Sequence, residues 1–262
     1  MATDKIIARK DGPVAHLVFN NPAKHNAMSV EMWEAAEHHL KDFIADSTTR
    51  VIMLSGEGGK AFVSGADISE FDSARASQEA VAHYDALTTR VYDLLYSAAK
   101  PTVAMIRGYC IGGGLALAAC CDIRICTDDS RFAIPAAKLG LGYGYIGLRR
   151  LVELVGPAFT KELFFTARQF TASEAAAMGL VNRVVSVDEL LPYVTKYAST
   201  IAGNAPLTVA SVKQIIGEIT KDTIERDIEV CESLVKACFE SEDYTEGRSA
   251  FKQKRKPAFN GR

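Results

Sequence analysis

The amino-acid sequence predicts an α/β protein in which short, mostly parallel strands alternate with helices, and three observations carry that prediction. Up to about residue 126, β-rich runs of four to six residues alternate with stretches of helical apolar spacing. Glycine clusters at 56–59 and 112–114 stand where strands close or helices open. From about residue 157 onward the chain reads as helix after helix.

Val14 to Phe19 is a strand, stopped by the turn cluster Asn20-Asn21-Pro22. Ser29, followed by Glu31 and by Met32, Ala35, Ala36, Leu40 and Phe43 on one face, predicts a capped amphipathic helix over about 30–45. Val51 to Ser55 is a second strand, closed by Gly56-Glu57-Gly58-Gly59. Val81, Tyr84, Leu87, Val91, Leu94 and Leu95 recur at helical spacing over 79–98, and Pro101 then starts the strand Thr102 to Ile106. The triplet Gly112 to Gly114 leads into an Ala-rich helix through Cys121, and Ile123 to Cys126 is the next strand. Amphipathic helices follow over 157–167, 172–178, 188–203, 206–219 and 222–240. No period of 20 to 50 residues repeats.

Composition narrows the function. The chain has 262 residues, 48% of them hydrophobic, enough to bury a core without disulfide staples. Thirty Lys and Arg against 32 Asp and Glu leave no global basic field, so nucleic-acid binding is not expected. Uncharged stretches such as Gly108 to Cys121 fall short of the roughly 18 apolar residues of a membrane span. The start, Met1 to Lys5, has no secretory signal pattern. Six cysteines form no CxxC pair and have no His at metal-ligand spacing, so they are expected to be reduced core thiols in a cytoplasmic protein without a bound metal.

The segment from Ile106 to Asp122 is the unusual one. Three glycines before an apolar helix let a ligand approach the backbone, and the first amide N–H groups of that helix have no internal partner and can hold a negative oxygen. A tight turn permitting close packing is the plainer reading of a lone triplet. A second strand-to-glycine turn, Phe62-Val-Ser-Gly-Ala-Asp-Ile68, lies upstream.

With these two turns the sequence resembles the enoyl-CoA hydratase/isomerase family, the crotonases, over nearly its whole length. The resemblance rests on Lys24-His-Asn-Ala-Met28, Ser64-Gly-Ala-Asp-Ile68, the Gly112 segment through Asp122, Phe132 with Pro135, Leu139-Gly140, Thr171 to Asn182, and Ser241-Glu-Asp243 with Glu246-Gly247 and Phe251. It implies a crotonase (ClpP/crotonase-like) spiral of ββα units over 1–200 and a C-terminal helical trimerisation region over 201–262. It implies an acyl-CoA substrate, with coenzyme A as part of that substrate and no separate cofactor. Carried over by position, the amides of Ala66 and Gly113 form an oxyanion hole for the thioester carbonyl, and Lys24, His25, Ala66, Asp67, Ile68 and Gly113 line the CoA site. A homotrimer or a dimer of trimers is implied, in keeping with apolar stripes at Val209, Val212, Ile215 and Ile216 and at Ile228, Cys231, Leu234 and Val235.

The sequence departs from the family where hydratases carry two glutamates, since those positions are Ala116 and Ala136. Hydration needs one group to activate water and another to protonate carbon, each worth about 100 to 10,000-fold. Tyr143, in Leu139-Gly-Leu-Gly-Tyr-Gly-Tyr-Ile-Gly147, stands where members similar to methylmalonyl-CoA decarboxylases have a tyrosine, although those members have His at the place of Ala66. Three functions remain open. They are a lyase of decarboxylase type using Ala66, Gly113 and Tyr143, a hydratase or isomerase with a base displaced to Asp67 or Glu70, and a silent CoA-binding or assembly protein. Asp122, Asp128 and Asp129 read as turn or strand-end residues, and Lys138 and Tyr145 as further polar groups near Tyr143. His38 and His39 read as solvated surface, His83 as packed, solvated or facing the pocket, and Lys252 with Lys254-Arg255-Lys256 as a basic tail that is solvated or meets the CoA phosphates of a neighbouring subunit.

Overall fold

A computed structural model describes residues 3–67 and 77–262. The first strands, β1 (Ile6–Asp11) and β2 (Val14–Phe19), form an antiparallel pair, and α1 (Val30–Ala45) follows, with the Ser29 side chain accepting the Met32 N–H at its start. Thereafter a strand of one sheet is followed three times by a short strand of another. The pairs are β3 (Val51–Gly56) with β4 (Ala61–Val63), β5 (Thr102–Ile106) with β6 (Tyr109–Ile111), and β7 (Ile123–Thr127) with β8 (Arg131–Ala133). The helices α2 (Gln78–Ser97), α3 (Gly113–Ala119) and α4 (Ala136–Leu139) come after the respective pairs. The chain is thus a spiral of ββα units.

The longer strands build a six-stranded sheet in the order β1-β2-β3-β5-β7-β10, parallel from β2 onward, with β10 at Arg183–Val185. The short strands build a second sheet, β4-β6-β8-β9, parallel except for β9 (Phe170–Thr171). Strand β3 is apolar at nearly every position because both its faces are covered. Ile52 and Leu54 enter one core with Trp33, Ala36 and Leu40 of α1. Val51 and Met53 enter another with Leu190, Val194 and Ala198 of α7 (Val187–Ala202).

Arg124 on β7 is buried without an ion-pair partner among the described residues, and its guanidinium donates instead to the carbonyls of Leu180, Ala118 and Cys121. It thereby satisfies the C-terminal carbonyls of α3 and holds that helix against the sheet.

Several elements differ from the sequence expectation. The helix expected from 157 is the second half of α5 (Tyr145–Thr166), broken at Gly156, where φ is +74° and Pro157 restarts the helix. After α6 (Ala172–Ala177) and α7 comes α8 (Pro206–Ile219). The helix expected over 222–240 is a single 3-10 turn at Thr223–Glu225 and then α9 (Ile228–Glu240). A last helix, α10 (Glu242–Gln253), is capped by Ser241, and its buried Asp243 accepts the N–H groups of Asn260 and Gly261 from the returning tail. Cys110, Cys120, Cys121 and Cys126 are buried free thiols as expected, but Cys231 and Cys238 are half-exposed on α9. Among the described residues no helix is long and apolar enough to cross a membrane.

Candidate active site

Three adjacent parallel strands, β4, β6 and β8, finish at one edge of the smaller sheet, and each runs into a turn there: Gly65-Ala66, Gly112-Gly113 and Pro135-Ala136. Gly65 has φ +115° and Gly112 has φ +55°, conformations that residues with a Cβ rarely adopt. A Cβ on Gly112 would lie 3.9 Å from Gly65 Cα and 4.0 Å from Pro135 Cδ, so the three turns meet. A Cβ on Gly114 would come within 2.2 Å of the Val63 carbonyl, so the third glycine lets α3 press onto β4. The Gly113 position faces the cleft, where its Cβ would meet the Tyr92 hydroxyl at 3.4 Å.

The turn geometry frees two amides. Met28 donates to Gly65 O at 2.8 Å and accepts from Asp67 N–H at 2.9 Å, a parallel bridge that turns the N–H of Ala66 away from Met28. Gly113 is the first residue of α3. The bonding of that helix begins with Ala116 N–H to Gly112 O at 3.0 Å, so the Gly113 N–H has no partner within the helix. Ala66 and Gly113 both line a cleft of about 670 Å³ between α2, α3 and the start of α5.

Phenols dominate this cleft. Tyr92 donates to Gly113 O at 3.3 Å, Trp33 Nε1–H donates to the Tyr84 hydroxyl at 3.2 Å, and Tyr143 packs edge-on against Phe164. Burial pushes the Tyr143 hydroxyl up to about 12 and the Tyr92 hydroxyl well above its ordinary value, so both are proton donors at neutral pH. The Cys120 thiol is pushed up to about 11 by burial and is inert. Arg150 reaches the far wall, with Nη1 3.3 Å from Cys120 Sγ and Nη2 2.6 Å from Asp93 Oδ1. Asp85, exposed at the rim, is the one carboxylate among the described lining residues. The arrangement can polarise a carbonyl and deliver a proton, and among the described lining residues there is no buried carboxylate to remove one.

The residues expected from the sequence are only partly gathered here. Ala66, Gly113, Ala116 and Tyr143 share the cleft. Lys24, His25 and Asp67 collect on the other side of the Gly65 turn: Lys24 Nζ lies 2.7 Å from the buried Asp67 carboxylate, and the His25 carbonyl accepts Ser64 N–H at 3.2 Å. Ile68 and Glu70 lie outside the described residues. Asp67 is held by Lys24 and is not among the residues lining the cleft, so the displaced base expected there is not positioned in it.

Ala136 is the buried first residue of α4 and is not among the residues that line the cleft, so of the two positions expected to form an apolar floor Ala116 stands in the described lining, with phenols around it. Tyr145 lines the mouth but is 74% exposed, and Lys138 and His83 are exposed and do not line the cleft. Asp122 accepts the Thr102 N–H and pairs with Lys213 at 2.8 Å, Asp129 accepts from Thr127, and Arg255 of the basic tail pairs with Glu246. His38 is exposed beside a half-exposed His39, with Asp42 as its neighbour. Sequence reasoning missed Trp33, Tyr92 and Arg150. The available signal was Tyr84 and Tyr92 within the apolar stripe of α2, where a polar tip on a buried face requires a partner.

The model of the enoyl-CoA hydratase/isomerase family matches residues 9–262. A crotonyl-CoA hydratase of Syntrophomonas wolfei is 35% identical over 259 residues, 99% of this chain and 99% of its own length. A carnitinyl-CoA dehydratase of Salmonella enteritidis is 33% identical over 258 residues, 97% of each chain. An enoyl-CoA hydratase/carnithine racemase from Magnetospirillum magneticum superposes with a TM-score of 0.94 at 36% identity, covering 100% of this chain and 97% of that one.

Proposed function

The chain belongs to the enoyl-CoA hydratase/isomerase family, and from that premise we propose that it turns over an acyl-CoA through a thioester enolate. The thioester carbonyl sits at the amides of Ala66 and Gly113, and CoA runs past Lys24, His25 and Asp67 on the outer side of the Gly65 turn. Charge that gathers on the carbonyl oxygen meets two preorganised donors, each worth roughly 3 kcal/mol or more in the transition state. Tyr143, kept protonated by burial, orients the reacting group or returns a proton to carbon. One observation carries this reading: beside the amides of Ala66 and Gly113 the described lining of the cleft presents phenols, and among those residues no buried carboxylate.

That chemistry favours a reaction in which the substrate supplies its own electron pair, as when an acyl-CoA loses CO2. The C–C bond to the carboxylate breaks, its electrons become the enolate, and a proton from Tyr143 or water then completes the product. The second reading is hydration or dehydration of an enoyl-CoA, favoured by the names of the relatives, crotonyl-CoA hydratase and carnitinyl-CoA dehydratase. It requires a base beyond the described lining. Purified protein offered crotonyl-CoA, malonyl-CoA and methylmalonyl-CoA, with products weighed by mass spectrometry, separates the two. Loss of 44 mass units supports the lyase, and gain of 18 supports the hydratase. No change on any substrate supports a silent CoA-binding protein. The same family premise makes the working form a trimer or dimer of trimers closed over the C-terminal helices.

A further inference from the structure

Arg150 stands between two cavities. One is the cleft with Ala66 and Gly113. The other, of about 530 Å³, lies beneath α8 and is lined by apolar side chains such as Ile123, Leu154, Ile201 and Val209 together with the charged Asp122, Arg124, Glu153 and Lys213. The two cavities share Ala119, Cys120 and Arg150. Ala119 and Cys120 are small and belong to the buried end of α3, so Arg150 is the one long side chain at the junction. It is held from three sides: Nη2 lies 2.6 Å from Asp93, Nη1 lies 3.3 Å from Cys120 Sγ, and the guanidinium carbon lies 4.5 Å from the centre of the Tyr96 ring. Its side chain is only 10% exposed.

We propose that Arg150 sets the length of acyl chain the cleft accepts, by closing the passage from the cleft into the cavity beneath α8. This rests on the acyl-CoA reading given above. From Gly113 to Cys120 the helix advances about 10 Å at its ordinary rise, the length of an acyl chain of roughly eight carbons. A shorter chain ends before Arg150. A longer one must displace a guanidinium that is paired, stacked and bonded to sulfur, and methylene groups offer it no replacement for those contacts. Beyond that point Ile123, Leu154, Ile201 and Val209 offer a hydrocarbon tail apolar contact.

Calorimetric titration with the saturated thioesters butyryl-, octanoyl- and dodecanoyl-CoA tests the partition without requiring turnover. In the unaltered protein, binding tightens from butyryl to octanoyl by up to about 4-fold per buried methylene, then levels off. In Arg150→Ala, dodecanoyl-CoA binds at least about 10-fold tighter than octanoyl-CoA, since its last carbons enter the second cavity. Asp93→Asn, at an exposed position, releases the guanidinium without removing it and produces a smaller shift in the same direction; it carries the test if Arg150→Ala does not fold. An unchanged chain-length profile in the folded variants overturns the partition alone. So does steady tightening through dodecanoyl in the unaltered protein. Absence of binding for every thioester overturns the acyl-CoA reading and the partition with it.

Discussion

The layered part of the chain and its last helices use similar apolar residues to opposite effect. Ile52 and Leu54 of β3 are completely buried within their own chain, whereas Val212 and Ile216 of α8 are 52% and 55% exposed. Helix α9 has no buried residue in its 13, and α8 has only Ser211. Helices of this length are marginal in water unless an apolar face is covered, and the exposed faces of α8 and α9 are what the proposed oligomer would cover. The site follows the same division. Its backbone donors belong to the self-sufficient layers, where three strands end together, and they can be in place whether or not the helices find a partner.

The largest break in this comparison is expected from Gly114→Ala. Its methyl would meet the Val63 carbonyl at 2.2 Å, and because a Cβ is fixed to the helix backbone and the carbonyl is itself backbone, the clash is relieved only by moving α3 off β4. A loss of about 4 kcal/mol or more is expected in urea unfolding, among the largest single-residue effects. A loss below about 1 kcal/mol would mean that the layers are looser than described.

Val212→Asp with Ile216→Asp addresses the other region. Both side chains are exposed in the single chain, so far-UV circular dichroism is expected to stay unchanged while light scattering shifts from an oligomer to one chain. An unaltered protein that is already a single chain at micromolar concentration contradicts the reading of α8 and α9.

A smaller effect distinguishes the regions by pH. The buried thiols of Cys120 and Cys126 and the phenol of Tyr143, all in the layered part, are raised by burial to about 11, about 12 and about 12. These groups keep their protons longer in the folded state than in the unfolded one. Their contribution is therefore complete below about pH 8.5, the ordinary thiol value, and is lost as pH climbs towards the folded values. Each group in its window removes about 1.4 kcal/mol per pH unit, so urea midpoints should fall steadily between about pH 9 and 11. A flat midpoint over that range contradicts the burial of these groups.

Legibility in the sequence followed the same physical division. Strands β2, β3, β5 and β7 of the large sheet were readable as largely apolar runs such as Val51 to Ser55, whereas β1 and β10 at its two edges were not. The strands Tyr109–Ile111 and Arg131–Ala133 are too short for any period to register, although they place the site. The two glycine turns were legible because their backbone angles demand glycine. Trp33, Tyr92 and Arg150 were not, since an aromatic or arginine becomes part of a cleft only when distant helices bring it there.

The central claim is that the cleft handles an acyl-CoA enolate without a carboxylate base, and the steady-state rate of crotonyl-CoA hydration by the unaltered protein tests it most directly, with Ala116→Glu measured alongside. The account predicts hydration at or below about 0.1 per second, at least 100-fold under the typical enzyme rate of about 10 per second, and a rise when Ala116→Glu places a carboxylate beside the amides. Hydration at about 10 per second or faster by the unaltered protein would contradict it, because a base must then reach the cleft from residues outside the described lining.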